Sequence, residues 1–204
     1  MSFRTLKSTT VAFALALGSL GMAHAAEPAG TAAGQAAAQA QAAPQLQQIS
    51  ALEGKLTFKL PQNFARAPGD GETPDGGNSR VFIQKEARQV VVVSETPTLS
   101  DVKAQDNDPA FLTGAVVGFV DQQKEVAPDY KKTGEKTLQT KTGLGLRQVD
   151  ATSTMSGTAT ISTSLLGASG QKLVVVQVVS RAENPQGHQA LVKSVIDSIP
   201  ATPQ

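Results

Sequence analysis

The chain has 204 residues, a formal net charge of +1 and no cysteine. A near-neutral charge argues against a dedicated nucleic-acid-binding protein, because such proteins carry a basic excess on one face. The absence of cysteine excludes disulfides, thiolate metal sites and cysteine nucleophiles, and an aromatic content of 4% disfavours a base-stacking surface.

Residues 1–25 have the layout of a secretory signal peptide. Arg4 and Lys7 form a basic start, and an uncharged segment with an apolar centre follows. Ala23 and Ala25 place small residues at the two positions that a signal peptidase reads. The uncharged segment is shorter than the roughly 20 residues that a bilayer requires. We therefore predict export of the protein and cleavage after Ala25.

Residues 26–49 are rich in Ala and Gln, and Glu27 is the only charged residue among them. Such a segment cannot bury enough apolar surface to offset its chain entropy, so we expect a disordered tether. Its alanine content also permits transient helix, so a helical spacer is the alternative. One folded domain then covers residues 50–204, which is long enough to build a core without disulfides.

The first half of this domain predicts strands. In residues 55–60 apolar and polar side chains alternate, and Pro61 ends the alternation, which indicates a half-buried strand. Residues 66–79 are rich in Pro, Gly and Asp and predict a surface loop. The apolar, β-branched segments 80–85 and 89–95 then predict a hairpin.

Asp108 and Pro109 predict the start of a helix, because Asp caps free N–H groups and Pro needs no hydrogen bond there. The apolar stripe of this helix comprises Leu112, Val116, Phe119 and Val120. Gly114 and Gly118 lie four residues apart, so we expect the helix to approach a sheet closely there.

Four more strands are predicted, over residues 130–139, 144–155, 158–167 and 172–180. The last of these is apolar on both faces, which indicates that it is covered on both sides. Asn184 and Pro185 begin a second helix, whose core face comprises Leu191, Val195 and Ile199, with Val192 and Ile196 beside them. Hairpin connections dominate, so the pattern predicts an α+β domain with a mainly antiparallel sheet and helices packed on it.

Residues 52–61 (LEGKLTFKLP) resemble the opening strand of the DcrB family of bacterial envelope proteins. Residues 165–199 are similar as well, from the end of one strand through the Gly170-Gln171-Lys172-Leu173 turn to the last helix. The resemblance covers about residues 50–200 and implies a PsbP-like α/β/α sandwich. It implies a role in the cell envelope, in a fold whose members mostly bind partners, and it carries over no catalytic residue. Lipoprotein members have a lipidated cysteine after the signal, where this chain has Ala26, so we expect a soluble periplasmic protein with no lipid anchor.

Short motifs suggest enzymatic chemistry, but their context does not support it. Residues 169–172 match S-x-x-K and residues 132–134 and 141–143 match K-T-G, as in penicillin-binding enzymes. However, Ser169 falls in a predicted hairpin turn and both K-T-G copies precede it, so we favour chance occurrence. Residues 143–145 begin like a dinucleotide-binding fingerprint, but Gln148 stands where the third glycine belongs.

Several acidic residues could serve as ligands or acid–base groups. Asp70, Glu72 and Asp75 could bind Ca²⁺, although they lack EF-hand spacing and a solvated acidic loop is the simpler interpretation. Asp106 and Asp108 could pair as acid and base, but helix capping already explains Asp108.

His188 is the only histidine after the predicted cleavage site, so a Ser-His-Asp triad would have to use it; we expect it to be exposed in the first turn of the last helix. Tyr130 could anchor an interface or pack at the edge of the core. Lysines cluster near it and could attract anionic lipid or lipopolysaccharide, although nearby acids favour a solvated strand face: Lys124, Lys131, Lys132, Lys136 and Lys141.

These observations predict a non-enzymatic periplasmic accessory protein that binds an envelope protein or a lipid-linked envelope component. We expect no catalytic residue, no cofactor and no metal site. The alternative is a carrier of a small apolar ligand or lipid, held in a cavity between helix and sheet that Phe111 and Phe119 would line. A hydrolase that uses His188 is a third hypothesis.

Overall fold

The computed structural model describes residues 45–68, 71–72, 76–98 and 103–200. The predicted signal peptide and most of the predicted tether lie outside these residues, so both remain predictions. The strands are β1 (Leu46–Ala51), β2 (Leu56–Pro61), β3 (Ala65–Arg66), β4 (Gly71–Glu72), β5 (Asn78–Gln84), β6 (Gln89–Pro97), β7 (Lys131–Gln139), β8 (Gly145–Met155), β9 (Thr158–Ser169) and β10 (Lys172–Arg181). The helices are α1 (Pro109–Val126) and α2 (Pro185–Ser198).

One antiparallel sheet of eight strands organises the described chain, in the order β3-β5-β6-β10-β9-β8-β7, with β4 also paired to β5. The hairpin of β1 and β2 forms a separate two-stranded layer. The strands predicted in the second half of the domain are found within two residues of their expected ends. The β5–β6 hairpin is confirmed as well, with its turn at residues 85–88.

Strand β10 lies at the centre of the molecule and is covered on both faces. Val174, Val176 and Val178 belong to the core that α2 and the β1–β2 hairpin complete. Val175 points the opposite way, into the smaller core beneath α1. Because successive side chains of a strand alternate between its faces, this pattern requires one cover on each side. The predicted α+β class and the α/β/α sandwich are therefore confirmed.

Both predicted helix starts are confirmed. The Asp108 side chain accepts a hydrogen bond from the Phe111 N–H at 2.9 Å, and the Asn184 side chain accepts one from the Gly187 N–H at 3.0 Å. Pro109 and Pro185 follow these caps in the first turn. Each cap satisfies one of the N–H groups that a helix start leaves without a partner.

The expected close approach of α1 through its glycines is wrong. Gly114 and Gly118 are both exposed, and a Cβ atom built on either would meet nothing within 4 Å. The contacts with the sheet come instead from Leu112, Val116 and Phe119. The glycines lie two residues from Leu112 and Val116, which places them about 200° around the helix, on its outer face.

The folded domain begins earlier than residue 50. Strand β1 starts at Leu46 and pairs with β2 along its whole length, from Leu46 opposite Pro61 to Ala51 opposite Leu56. The Gln47 side chain fixes this strand further, because its Nε2 donates to the Phe64 carbonyl at 2.7 Å. Residues 46–49 therefore belong to the domain and not to the tether.

Replacing Val195 with Asp should unfold the domain. Val195 is 1% exposed in the core between α2 and the sheet, where a carboxylate would have neither water nor a positive partner. We expect a loss of about 4 kcal/mol or more in the free energy of unfolding. Ser194→Asp places the same charge on the exposed side of α2 and should change the free energy of unfolding by about 0.5 kcal/mol or less. Equal melting temperatures for the two variants would contradict this assignment of the core.

Candidate functional site: the α2–β7 groove

Two concavities mark the described surface. The larger, the α2–β7 groove, has a volume of about 670 Å³ and lies between α2 and the β7 edge of the sheet. Its floor includes Gln148, Asp150 and Thr163, and its walls include Lys136 of β7 and His188, Val192 and Ile196 of α2. The smaller, the hairpin notch, has a volume of about 380 Å³ and lies where the turn after β1 meets the β9–β10 turn.

His188 is buried, with 6% of its surface exposed, so the expectation that it is exposed is wrong. The first turn of α2 lies against the sheet, and His188 shares the core-facing side of the helix with Leu191 and Val195. The spacing of these three residues, three and then four, was the sequence signal for burial. Burial lowers the pKa of His188 below its usual 6.5, and the negative charge of Asp150 partly opposes that effect.

The ring of His188 is held by a chain of hydrogen bonds. Its Nε2 lies 3.1 Å from Thr163 Oγ1, and its Nδ1 lies 3.0 Å from Ser180 Oγ. Thr163 Oγ1 donates to Asp150 Oδ1 at 2.7 Å. A hydroxyl has one proton to give, so Thr163 must accept from Nε2–H, which leaves Nδ1 to accept from the Ser180 hydroxyl. We assign the neutral Nε2–H tautomer to His188 on this basis.

These residues have the side-chain types of a Ser-His-Asp triad but not its arrangement. The Thr163 hydroxyl stands between His188 and Asp150, so the carboxylate does not contact the imidazole. Ser180, the hydroxyl on the other side of the ring, is only 1% exposed and cannot meet a substrate. A triad needs a reachable nucleophile, so this chain of hydrogen bonds orients groups and activates none.

A second polar cluster borders the hairpin notch. Lys55 Nζ donates to Asp106 at 2.7 and 2.8 Å and to Ser169 Oγ at 2.8 Å, and Ser169 donates to Asp106 at 2.6 Å. These hydrogen bonds, chiefly that from Lys55, lower the pKa of Asp106. A carboxylate stabilised in its charged form is a poor general base, so Ser169 is not activated. The cluster instead ties the β1–β2 hairpin to the segment before α1 and to the end of β9.

The S-x-x-K motif does not form a catalytic pair. Lys172 Nζ binds Glu53 Oε1 at 3.0 Å, and that hydrogen bond raises the pKa of Lys172. The ammonium therefore holds its proton and cannot act as a base for Ser169. One K-T-G copy lies in β7, and the other, residues 141–143, lies in the turn before β8.

The predicted acidic sites do not assemble. Asp108 caps α1, whereas Asp106 joins the notch cluster, so the two carboxylates serve separate structural roles. Asp70 and Asp75 lie outside the described residues, and Glu72 is exposed in β4. Within residues 45–68, 71–72, 76–98 and 103–200, no group of three His, Asp or Glu side chains could hold a metal ion.

Tyr130 packs in the core. It is 5% exposed and meets the ring of Phe119 edge-on, with centroids 6.5 Å apart. Burial, with a smaller effect from the charge of Asp150, raises the pKa of Tyr130 to about 12. Neither Phe119 nor Phe111 lines the groove or the notch, so the predicted carrier cavity remains a prediction.

The predicted lysine cluster is divided between the two faces of β7. Lys132 lies opposite Ala151, whose side chain packs under α1, whereas Lys136 lies opposite Gln148, which faces the groove. Lys132 also pairs with Glu135 at 2.9 Å. The strand therefore presents two mixed surfaces in place of one basic patch.

The burial of His188 predicts how stability depends on pH. The folded chain binds a proton at His188 less readily than the unfolded chain, whose histidine has a pKa near 6.5. Below about pH 6.5 the unfolded state therefore takes up more protons than the folded state. The free energy of unfolding should then decrease as the pH is lowered. Denaturant unfolding at pH 7.5 and 5.5 should show a smaller loss in His188→Gln than in the unsubstituted protein. Equal losses would contradict the assignment of a buried, neutral imidazole.

Comparison with known proteins gives one sequence relative and a set of structural neighbours. No family model matches the chain. The chain is 24% identical over 151 residues to the inner membrane lipoprotein DcrB of Shigella flexneri, covering 74% of this chain and 76% of that protein. CyanoP, the PsbP of Synechocystis sp. PCC 6803, superimposes with a TM-score of 0.55 at 12% identity, covering 80% of this chain and 96% of CyanoP. The Ran-binding protein Mog1p of Saccharomyces cerevisiae has a TM-score of 0.48 at 10% identity, over 76% and 95% of the two chains.

One expectation is overturned by this comparison. The sequence predicted no lipid anchor, because Ala26 stands where a lipidated cysteine would be, but the similar protein DcrB is an inner membrane lipoprotein. This finding contradicts the prediction of no lipid anchor, which rested on Ala26 alone, and that prediction is therefore wrong. Neither helix in the described part of the chain is long and apolar enough to cross a membrane. The chain resembles DcrB in sequence, and its fold is that of the PsbP-like protein CyanoP.

Proposed function

We propose that the protein is a non-enzymatic periplasmic accessory protein, which binds another protein of the bacterial envelope through the α2–β7 groove. The observation that carries the proposal is the groove itself, about 670 Å³ in volume and lined by polar side chains on the floor and by Val192 and Ile196 on one wall. The sequence similarity of the chain to the inner membrane lipoprotein DcrB supports a location in the bacterial envelope.

The shape of the groove suits a segment of a protein chain. On the floor the half-buried carboxylate of Asp150 can accept hydrogen bonds, while the half-buried Val192 and Ile196 offer apolar contact. Binding sites commonly combine apolar walls with a few placed polar groups. Strand β7, an edge of the described sheet, forms the other wall, with its outer edge unpaired in these residues.

The polar groups at both concavities support binding in preference to catalysis. The hydroxyls of Thr163 and Ser180 next to His188 are buried, and the half-buried Ser169 is held by a carboxylate of lowered pKa and by an ammonium. Enzymes of the hydrolase type need a reachable nucleophile next to a competent base. Neither concavity offers that pair among the described residues.

Site-specific photocrosslinking in cells tests the groove. A photoreactive residue at Gln189, exposed on the groove wall, should give a discrete crosslinked product with an envelope protein. The matched control is Val117, which is 58% exposed on α1, on the opposite side of the sheet. We expect at least about tenfold less product from Val117, since a specific partner covers one patch. Equal crosslinking from both positions, or none from Gln189, would contradict the proposal.

Export with removal of residues 1–25 belongs to the same proposal. Sequencing the N-terminus of the protein recovered from the envelope fraction should give Ala26 as the first residue. Ala25→Arg removes the small residue that a signal peptidase requires, so this variant should accumulate with its leader attached. A mature N-terminus elsewhere, or an unprocessed chain in the cytosol, would contradict this part of the proposal.

A further inference from the structure

The carboxylate of Asp150 differs from the other half-buried carboxylates among the described residues. Glu95 pairs with Arg80, Asp106 pairs with Lys55, and Asp108 caps the positive end of α1. Asp150 is half-buried as well, yet no Lys or Arg of the described chain lies within salt-bridge distance of it. A carboxylate partly removed from water is most favourable beside a positive charge.

Neutral donors hold Asp150 in a fixed position. Gln148 Nε2 donates to its two oxygens at 2.9 and 3.1 Å, and Thr163 donates to Oδ1 at 2.7 Å. The position of Thr163 depends in turn on His188. Ionised carboxylates accept about four hydrogen bonds, so Asp150 has capacity left, chiefly at Oδ2.

Gly134 provides the space for that oxygen at the groove. It lies opposite Asp150 in the register of β7 and β8, beside an irregularity in β7. A Cβ atom at this position would stand 3.2 Å from Asp150 Oδ2, tighter than an ordinary contact. The strand thus carries no side chain where the carboxylate reaches the groove.

We propose that the α2–β7 groove binds a segment of its protein partner that presents an arginine or lysine side chain to Asp150. This inference rests on the proposed binding function and names its chemistry. A guanidinium or ammonium would supply the positive charge that Asp150 lacks, and its aliphatic stem would lie along Val192 and Ile196. A divalent ion is disfavoured, since Asp150 belongs to no group of three His, Asp or Glu side chains among the described residues that could hold one.

The other charges of the groove leave room for this partner. Lys193 pairs with Asp197 on the same helix, so the two neutralise each other. Lys136 also lines the groove but makes no described ion pair with Asp150. Its ammonium would compete with an incoming cation. Removing it should therefore strengthen binding, whereas removing the charge of Asp150 should weaken it.

The test uses two small probes and NMR spectroscopy of the unsubstituted protein. N-acetyl-arginine methylamide should shift resonances of Asp150, Thr163 and Val192 in a saturable way. N-acetyl-citrulline methylamide has nearly the same shape without the charge and should bind about tenfold more weakly, because charge-assisted hydrogen bonds are the stronger ones. The lysine analogue of the arginine probe shows whether an ammonium serves as well.

Two variants distinguish a specific site from general attraction. Asp150→Asn keeps the shape and the acceptor for Thr163 and should lower the affinity for the arginine probe about tenfold or more. Lys136→Gln removes the competing cation and should raise the affinity. Asp121→Asn also removes one negative charge, at an exposed position of α1, and should leave the affinity for the arginine probe unchanged. Equal binding of arginine and citrulline probes, or equal effects of Asp150→Asn and Asp121→Asn, would overturn the inference.

Crosslinking from Gln189 separates this inference from the proposed function. If crosslinking persists in Asp150→Asn at its full yield, the groove binds a partner but not through a cation, and the inference is wrong. If Gln189 gives no product in the unsubstituted protein, the proposed function fails first. Loss of the product in Asp150→Asn but not in Asp121→Asn supports both.

Discussion

The burial of β10 on both faces is the constraint on which the rest of the structure depends. Its valines enter two cores at once, so both faces of the central sheet need a cover. Helix α1 covers one face, and α2 together with the β1–β2 hairpin covers the other. A strand of this kind has no solvated side, and each cover is held by the burial of apolar surface.

Neither face of the sheet is covered over its whole width. The groove forms where the layer of α2 and the β1–β2 hairpin ends. On the α2 side of β8 the side chains change along the strand, from Leu146 in the core to Gln148 and Asp150 in the groove. On the α1 side of the same segment Val149 and Ala151 remain apolar and buried. Polar residues on one face only are what a strand requires when it passes from beneath a helix into solvent. The groove is thus a consequence of a sheet wider than its cover.

Much of the fold could be predicted from local patterns, because those patterns are physical causes. Strand alternation and the two Asx-Pro helix starts act within a few residues, and both were confirmed. Strand β1 was missed because its own sequence is rich in Gln and its position is set by pairing with β2, whose partner residues follow 5 to 15 positions later. The contacts of Lys55 with Asp106 and Ser169 span 51 and 114 positions and leave no local signal. His188 was misplaced although its spacing to Leu191 and Val195 indicated the core face.

The same residues that position α2 also set the chemistry of the groove. Neutral His188 accepts from Ser180 and donates to Thr163, so Thr163 is free to give its only proton to Asp150. If His188 gained a proton at Nδ1, it could no longer accept from Ser180, and this buried pair would have to rearrange. The orientation of the groove carboxylate is therefore linked, through two hydrogen bonds, to the packing of the first turn of α2. A site built in this way holds one carboxylate in a defined place and commits the Thr163 proton to it, an arrangement that suits the recognition of a cation.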